Sequence, residues 1–220
     1  MKYKKTPYLS DPMCDFSKEK LNGILSKADT ELDWGDYDCI FHGEMPAGTY
    51  EEVRYYIPLA CTYIEQQVDA HNFFEHFSIW IKDNYECLKE DGLIVPIVSA
   101  FRNLFKKATS SFLLKENHDH YFYPSGCNSV EEIIALFFQL SQTCDEFCLD
   151  DLFAELKESR SLVHAEWLVY ISKEMAISSP KMIDSAISSF DYQKAINVIN
   201  DNLDIILNDM SLYSFWGKRI

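Results

Sequence analysis

Along most of this chain apolar residues recur at intervals of three and four, the spacing that gathers them on one side of an α-helix. Phe73, Phe77, Trp80, Ile81 and Tyr85 follow it, as do Ile94, Ile97, Val98, Phe101, Leu104 and Phe105. The same period runs through Val130, Ile133, Ile134, Phe137 and Phe138, through Leu149, Leu152, Phe153 and Leu156, and through Ile196, Ile199, Leu203, Ile206 and Leu207. Alternation of apolar and polar residues, the mark of a half-buried strand, is almost missing. The predicted fold class is therefore all-α. About eight helices are expected in a single globular domain over residues 17–220, behind an irregular N-terminal arm over residues 1–16. No repeat of fixed length marks a solenoid.

The expected helix ends carry chemical signals. Thr49-Tyr-Glu-Glu52, Ser129-Val-Glu-Glu132 and Thr143-Cys-Asp-Glu146 each have the form of a capping box, a hydroxyl and a carboxylate three apart that satisfy each other's backbone amides. The first should open a helix to about Val68, with a kink or break at Pro58, whose ring nitrogen cannot donate to the Arg54 carbonyl. A helix over His71–Lys89 should stop at Asp91-Gly92, since glycine accepts the left-handed backbone of a helix terminus. Arg102, Lys106 and Lys107 suit the negative end of the helix that follows.

One stretch breaks the helical pattern. Asp29–Gly48 holds Gly35, Gly43, Gly48 and Pro46, and is predicted as one long loop anchored by Trp34, Tyr37, Ile40 and Phe41.

Composition agrees with long helices and a filled core: 220 residues, 47% hydrophobic and 15% aromatic, with only 7 Gly and 7 Pro for turns. The 7 Cys form no C-x-x-C pair, and the apolar run Ile133–Leu140 is too short to span a bilayer. Residues 6–20 are too polar for a signal peptide. A cytoplasmic protein with reduced thiols is expected.

Charge changes the picture most. The net charge is −15, and the segment Glu116–Glu158 carries ten acidic residues against one Lys, a local −9. Direct nucleic-acid binding and anionic membrane surfaces are disfavoured, because both need clustered Lys and Arg. On the predicted helices Glu131, Glu132, Asp145, Glu146, Asp150, Asp151, Glu155 and Glu158 point mostly away from the apolar stripes and form a candidate surface for a basic protein partner.

Smaller sets could carry chemistry. Trp34, Asp36, Asp38, His42, Glu44, Glu51 and Glu52 bring carboxylates, an imidazole and an aromatic together in sequence, as acid–base chemistry or cation binding requires. His71 and Glu75 share a helix face, and His118 and His120 flank Asp119 ahead of Cys127; these are the weak metal-ligand candidates, and neither has a recognised zinc spacing. Cys61, Cys87 and Cys148 lie in apolar helical settings, as small hydrophobes do. No nucleophile elbow, phosphate loop or dinucleotide fingerprint occurs, and no cofactor is expected.

The leading expectation is an acidic helical interaction protein, in the manner of an immunity or antitoxin-like inhibitor or a nucleic-acid mimic. The alternatives are a metal-dependent enzyme built on the residue 29–52 set or the His71/Glu75 pair, and a scaffold subunit of a homo-oligomer using Phe215 and Trp216.

Overall fold

Helix follows helix, as the apolar period predicts. In the computed structural model, which describes residues 3–66, 73–110, 125–158, 161–172 and 192–202, no described residue lies in a strand. The helices are α1 (Lys18–Ser26), α2 (Trp34–Ile40), α3 (Tyr50–Val53), α4 (Ile57–Gln66), α5 (Phe73–Asp83), α6 (Tyr85–Asp91), α7 (Ile94–Ala108), α8 (Ser125–Leu140), α9 (Leu149–Glu158), α10 (Leu162–Tyr170) and α11 (Tyr192–Asp201). None is long and apolar enough to cross a membrane. Contacts divide the chain into two compact units, Met1–Leu104 with Gln139–Phe147, and Phe105–Phe138 with Cys148–Ile220.

In the first unit the helices close over an aromatic core. Phe77 of α5 lies 5.0 Å from Phe41, 5.1 Å from Phe73 and 6.0 Å from Trp80 between ring centroids. Phe101 of α7 completes the cluster, 5.0 Å from Phe74 and edge-on to it. The i, i+3, i+4 stripe of α5 is the reason: it puts Phe73, Phe77, Trp80 and Ile81 on one inward face.

Polar bonds tie the ends of these helices. Ser17 caps α1 by accepting the Lys20 amide at 3.1 Å. Gly92, at φ 72°, ends α6 in the left-handed conformation, and the next amide, of Leu93, reaches back to the Leu88 carbonyl at 2.8 Å. Asp91 accepts from the Tyr50 hydroxyl at 2.9 Å and from Arg54 at 3.3 Å. Burial pushes the Asp91 carboxyl up, but the bonds from Tyr50 and Arg54 outweigh it and hold the group below its ordinary 3.8.

A carboxyl lowered on folding contributes stability above its unfolded value and loses it as pH falls through the folded value. Stability should therefore drop on acidification below about pH 4, and Asp91→Asn should flatten that part of the acid limb. Asp91 is partly exposed, so solvent screening keeps its share below about 1 kcal/mol. Urea titrations between about pH 3 and pH 6 check this, and an acid limb unchanged in the variant contradicts it.

Three expectations need correction. The stretch over residues 29–48 is not one long loop: a single 3-10 turn at Asp29–Glu31 leads into α2, and only the turn from Phe41 to Thr49 is irregular. Asp33 caps α2 by accepting the Asp36 amide at 3.1 Å while Asp36 returns the bond to the Asp33 amide, a capping box with aspartate at both ends. The break expected at Pro58 is present, just ahead of the proline. A 3-10 turn at Arg54–Tyr56 lets the Ile57 amide satisfy the Arg54 carbonyl that proline cannot. The helix expected over His71–Lys89 is broken at Asn84, whose side-chain amide takes the Trp80 carbonyl at 2.9 Å.

The remaining correction concerns the capping boxes. At Thr49 half of the box forms: Glu52 accepts the Thr49 amide at 3.0 Å, but the hydroxyl makes no cap bond. Ser129 lies inside α8, which starts a turn earlier. Thr143–Glu146 is a turn; burial of Cys144 and Phe147 holds it, and α9 starts after it at Leu149.

In the second unit α10 packs on α11 through Ala165, Val169, Ala195 and Ile199, flanked by Leu162, Leu168, Ile196 and Val198. Phe105 of α7 meets Phe153 of α9 at 5.8 Å. Tyr170 donates its hydroxyl to Glu131 of α8 at 2.5 Å.

Candidate functional site

The residues expected to act together over 29–52 separate into distinct environments. Asp36 is buried, with 2% of its side chain exposed, and is a structural centre: Lys27 donates to it at 2.5 Å and Lys20 at 3.4 Å, besides the capping bond from Asp33. The hydrogen bond to Asp36 raises the Lys27 ammonium above its ordinary value. Burial pushes the Asp33 carboxyl up, but Lys27 and the Asp36 amide more than offset it and hold the group low. A buried carboxylate with this many donors is satisfied and has no capacity left for a ligand.

Trp34 is an anchor, with Tyr63 edge-on at 4.6 Å and Phe73 at 5.0 Å. Glu52 turns to the N-terminal arm, where its Oε2 accepts from both the amide and the hydroxyl of Ser10. Glu44 and Glu51 are exposed.

Two residues of the set do meet, through a third from another helix. Asp38 of α2 lies 2.7 Å from Nδ1 of His76 on α5, and the His42 ring stands 4.0 Å from the His76 ring between centroids. The carboxylate fixes the orientation of the His76 ring through Nδ1. With 29% of the His76 side chain and 39% of the Asp38 side chain exposed, water reaches the pair. His42 Nδ1 is buried and has no hydrogen-bond partner among the described residues. Among the described residues no Ser, Thr or Cys side chain is hydrogen-bonded to His76.

Asp38 and His76 are 38 residues apart, and nothing in the sequence pairs them. The α2–α5 packing makes the contact, helped by Gly43. A Cβ there would stand 2.4 Å from Ile79 Cβ and 2.9 Å from the His76 carbonyl.

Among the described residues no group of three or more His, Cys, Asp and Glu is placed to hold a metal ion. Glu75 is exposed on α5, while His71, His118, His120, Phe215 and Trp216 lie outside the described residues. Cys14, Cys39, Cys61, Cys87, Cys144 and Cys148 are free thiols. Burial pushes Cys39 and Cys61 up to about 12, which keeps both protonated and unreactive at neutral pH.

The acidic segment divides by environment. Asp145, Asp150, Asp151 and Glu158 are exposed, whereas Glu131, Glu132 and Glu146 are half-buried. Glu146 accepts the Tyr85 hydroxyl and faces Lys89 at 3.8 Å, and Glu131 accepts from Tyr170. Asp145 and Glu146 belong to the first unit; Glu131, Glu132 and the α9 residues belong to the second. The backbone at Glu155 continues α9. On α9, Leu149, Leu152, Phe153 and Leu156 are buried and Asp150, Asp151 and Glu158 face water. Lys157, the one cation of the segment, is already paired with Asp150 at 2.7 Å.

No protein-family model, no curated protein and no solved structure matches this chain.

Proposed function

We propose that this protein is a helical interaction protein that docks a basic partner on the acidic outer face of α9, as an immunity or antitoxin-like inhibitor would. The observation that carries this reading is the ordered display of Asp150, Asp151 and Glu158 opposite a buried apolar stripe, with Lys157 engaged on Asp150. Ordered carboxylates steer and orient a cationic surface without the entropy cost of fixing a flexible tail. The cytoplasm is the setting of this reading, in keeping with free thiols at six of the seven cysteines.

The test compares wild type with Asp150→Asn/Asp151→Asn/Glu158→Gln, which keeps side-chain size and removes three charges. Both are used as bait in parallel and the retained proteins are quantified. A basic partner should be retained by wild type, reduced at least about tenfold with the variant, and released by about 0.5 M salt. An identical retained set for the two baits, or retention indifferent to salt, overturns the proposal.

A further inference from the structure

In the first unit a half-enclosed cavity of about 370 Å³ lies between the Asp29–Glu31 turn, α2 and α4. Its size falls in the range of small-molecule pockets, about 300–1,000 Å³. Leu32 and Leu59 supply apolar wall, and Tyr37 and Tyr63 supply aromatic wall, their rings 5.2 Å apart. Trp34, packed edge-on against Tyr63 at 4.6 Å, holds that ring in place. Asp29 is the one charged residue in the lining.

Asp29 is half occupied. Its Oδ2 accepts the Tyr55 hydroxyl at 2.6 Å, while Oδ1 carries no hydrogen bond among the described residues. Tyr37 is almost wholly buried and lines the same cavity. Burial first, and then the Asp29 charge, push the Tyr37 phenol up, so it stays neutral and can donate.

We propose that this cavity binds a small organic ammonium compound, with its cation on Asp29 and its apolar body against Leu32, Leu59 and Tyr63. An anion would meet the Asp29 charge with no lining cation to offset it. A neutral head group would forgo the charge-assisted bond that the carboxylate offers. The aromatic wall adds to the preference, because ring faces attract cations. The site belongs to the first unit and stands independently of the acidic face of α9.

Three probes with one body and different head groups test it: phenethylamine, 2-phenylethanol and 3-phenylpropionate, titrated calorimetrically into the full chain at neutral pH. The amine should bind, and the alcohol and the acid should bind at least about tenfold more weakly. Asp29→Asn, which keeps an oxygen for Tyr55, should lower amine affinity at least about tenfold. Tyr55→Phe breaks the bond to Oδ2 without touching the cavity wall and should leave amine affinity intact or raised. Equal binding of the three probes, no binding of the amine by folded wild-type protein, or unchanged amine affinity in Asp29→Asn overturns the proposal. If Asp29→Asn fails to fold, the head-group series on wild type decides alone.

Discussion

Phe77→Ala should cost about 3–5 kcal/mol of folding free energy, the largest loss expected from a single substitution in the first unit. Phe77 is fully buried, and its ring meets Phe41, Phe73, Trp80 and Phe101 at centroid distances of 5.0 to 6.2 Å. Truncation removes the transfer free energy of the ring and leaves a cavity walled by other rings, which cannot collapse to fill it without leaving their rotamers. The stacked and tilted ring contacts add a further share that a merely apolar side chain would not supply. Phe77→Leu keeps most of the volume and should lose only about 1–2 kcal/mol. Urea unfolding followed by tryptophan fluorescence reads both, because Trp80 stands 6.0 Å from the altered site. Tyr8, which is exposed, is the control: Tyr8→Ala should stay within about 0.5 kcal/mol. A Phe77→Ala loss as small as that of the control would show that this cluster is not what holds the unit together.

Gly43→Ala should destabilise by about 2–3 kcal/mol, although it adds a single methyl group. The backbone at Gly43 is not in the left-handed region, so the cost is steric and not conformational. The new Cβ would meet Ile79 Cβ at 2.4 Å, Ile79 Cγ2 at 2.6 Å and the His76 carbonyl at 2.9 Å. Two of these are atoms fixed to the α5 backbone and cannot swing aside, so the turn after α2 must lift away from the helix. That movement separates His42 from His76 as well. Ile79→Ala in the same chain should not restore stability, because it removes Cγ2 but leaves Cβ and the carbonyl in place. Thermal unfolding of the single and double variants checks this, and near-wild-type stability for Gly43→Ala would contradict the close approach. The imidazole C–H signals of His42 and His76 in NMR spectra should move with it.

The fold class was legible in the sequence because its period is a local property. The stripes of α5, α7, α8, α9 and α11 each repeat within a few turns, and helix formation needs no information from elsewhere in the chain. The stop at Gly92 was legible for the same reason. What misled is equally local. Glycine and proline suggested a loop over residues 29–48, but the Asp33–Asp36 box and burial of Tyr37, Ile40 and Phe41 outweigh the low helix propensity of Gly35. Thr143-Cys-Asp-Glu146 matches a capping box by residue type, yet Glu146 is drawn to Tyr85, 61 residues away, and the box does not form.

Sequence by itself determined the helical class, most helix positions, and the acidic outer face of α9, because amphipathic spacing fixes which side chains point to water once a helix exists. Tertiary structure alone decided which charged groups are spent and which are available. It buried Asp36 between Lys20 and Lys27, set Asp38 against His76, turned Glu131 and Glu146 to tyrosines, and placed Asp29, bonded to Tyr55, in the lining of a cavity. The physical reason is that hydrogen bonds and desolvation act between residues brought together by packing, and packing partners tens of residues apart leave no periodic trace in the chain.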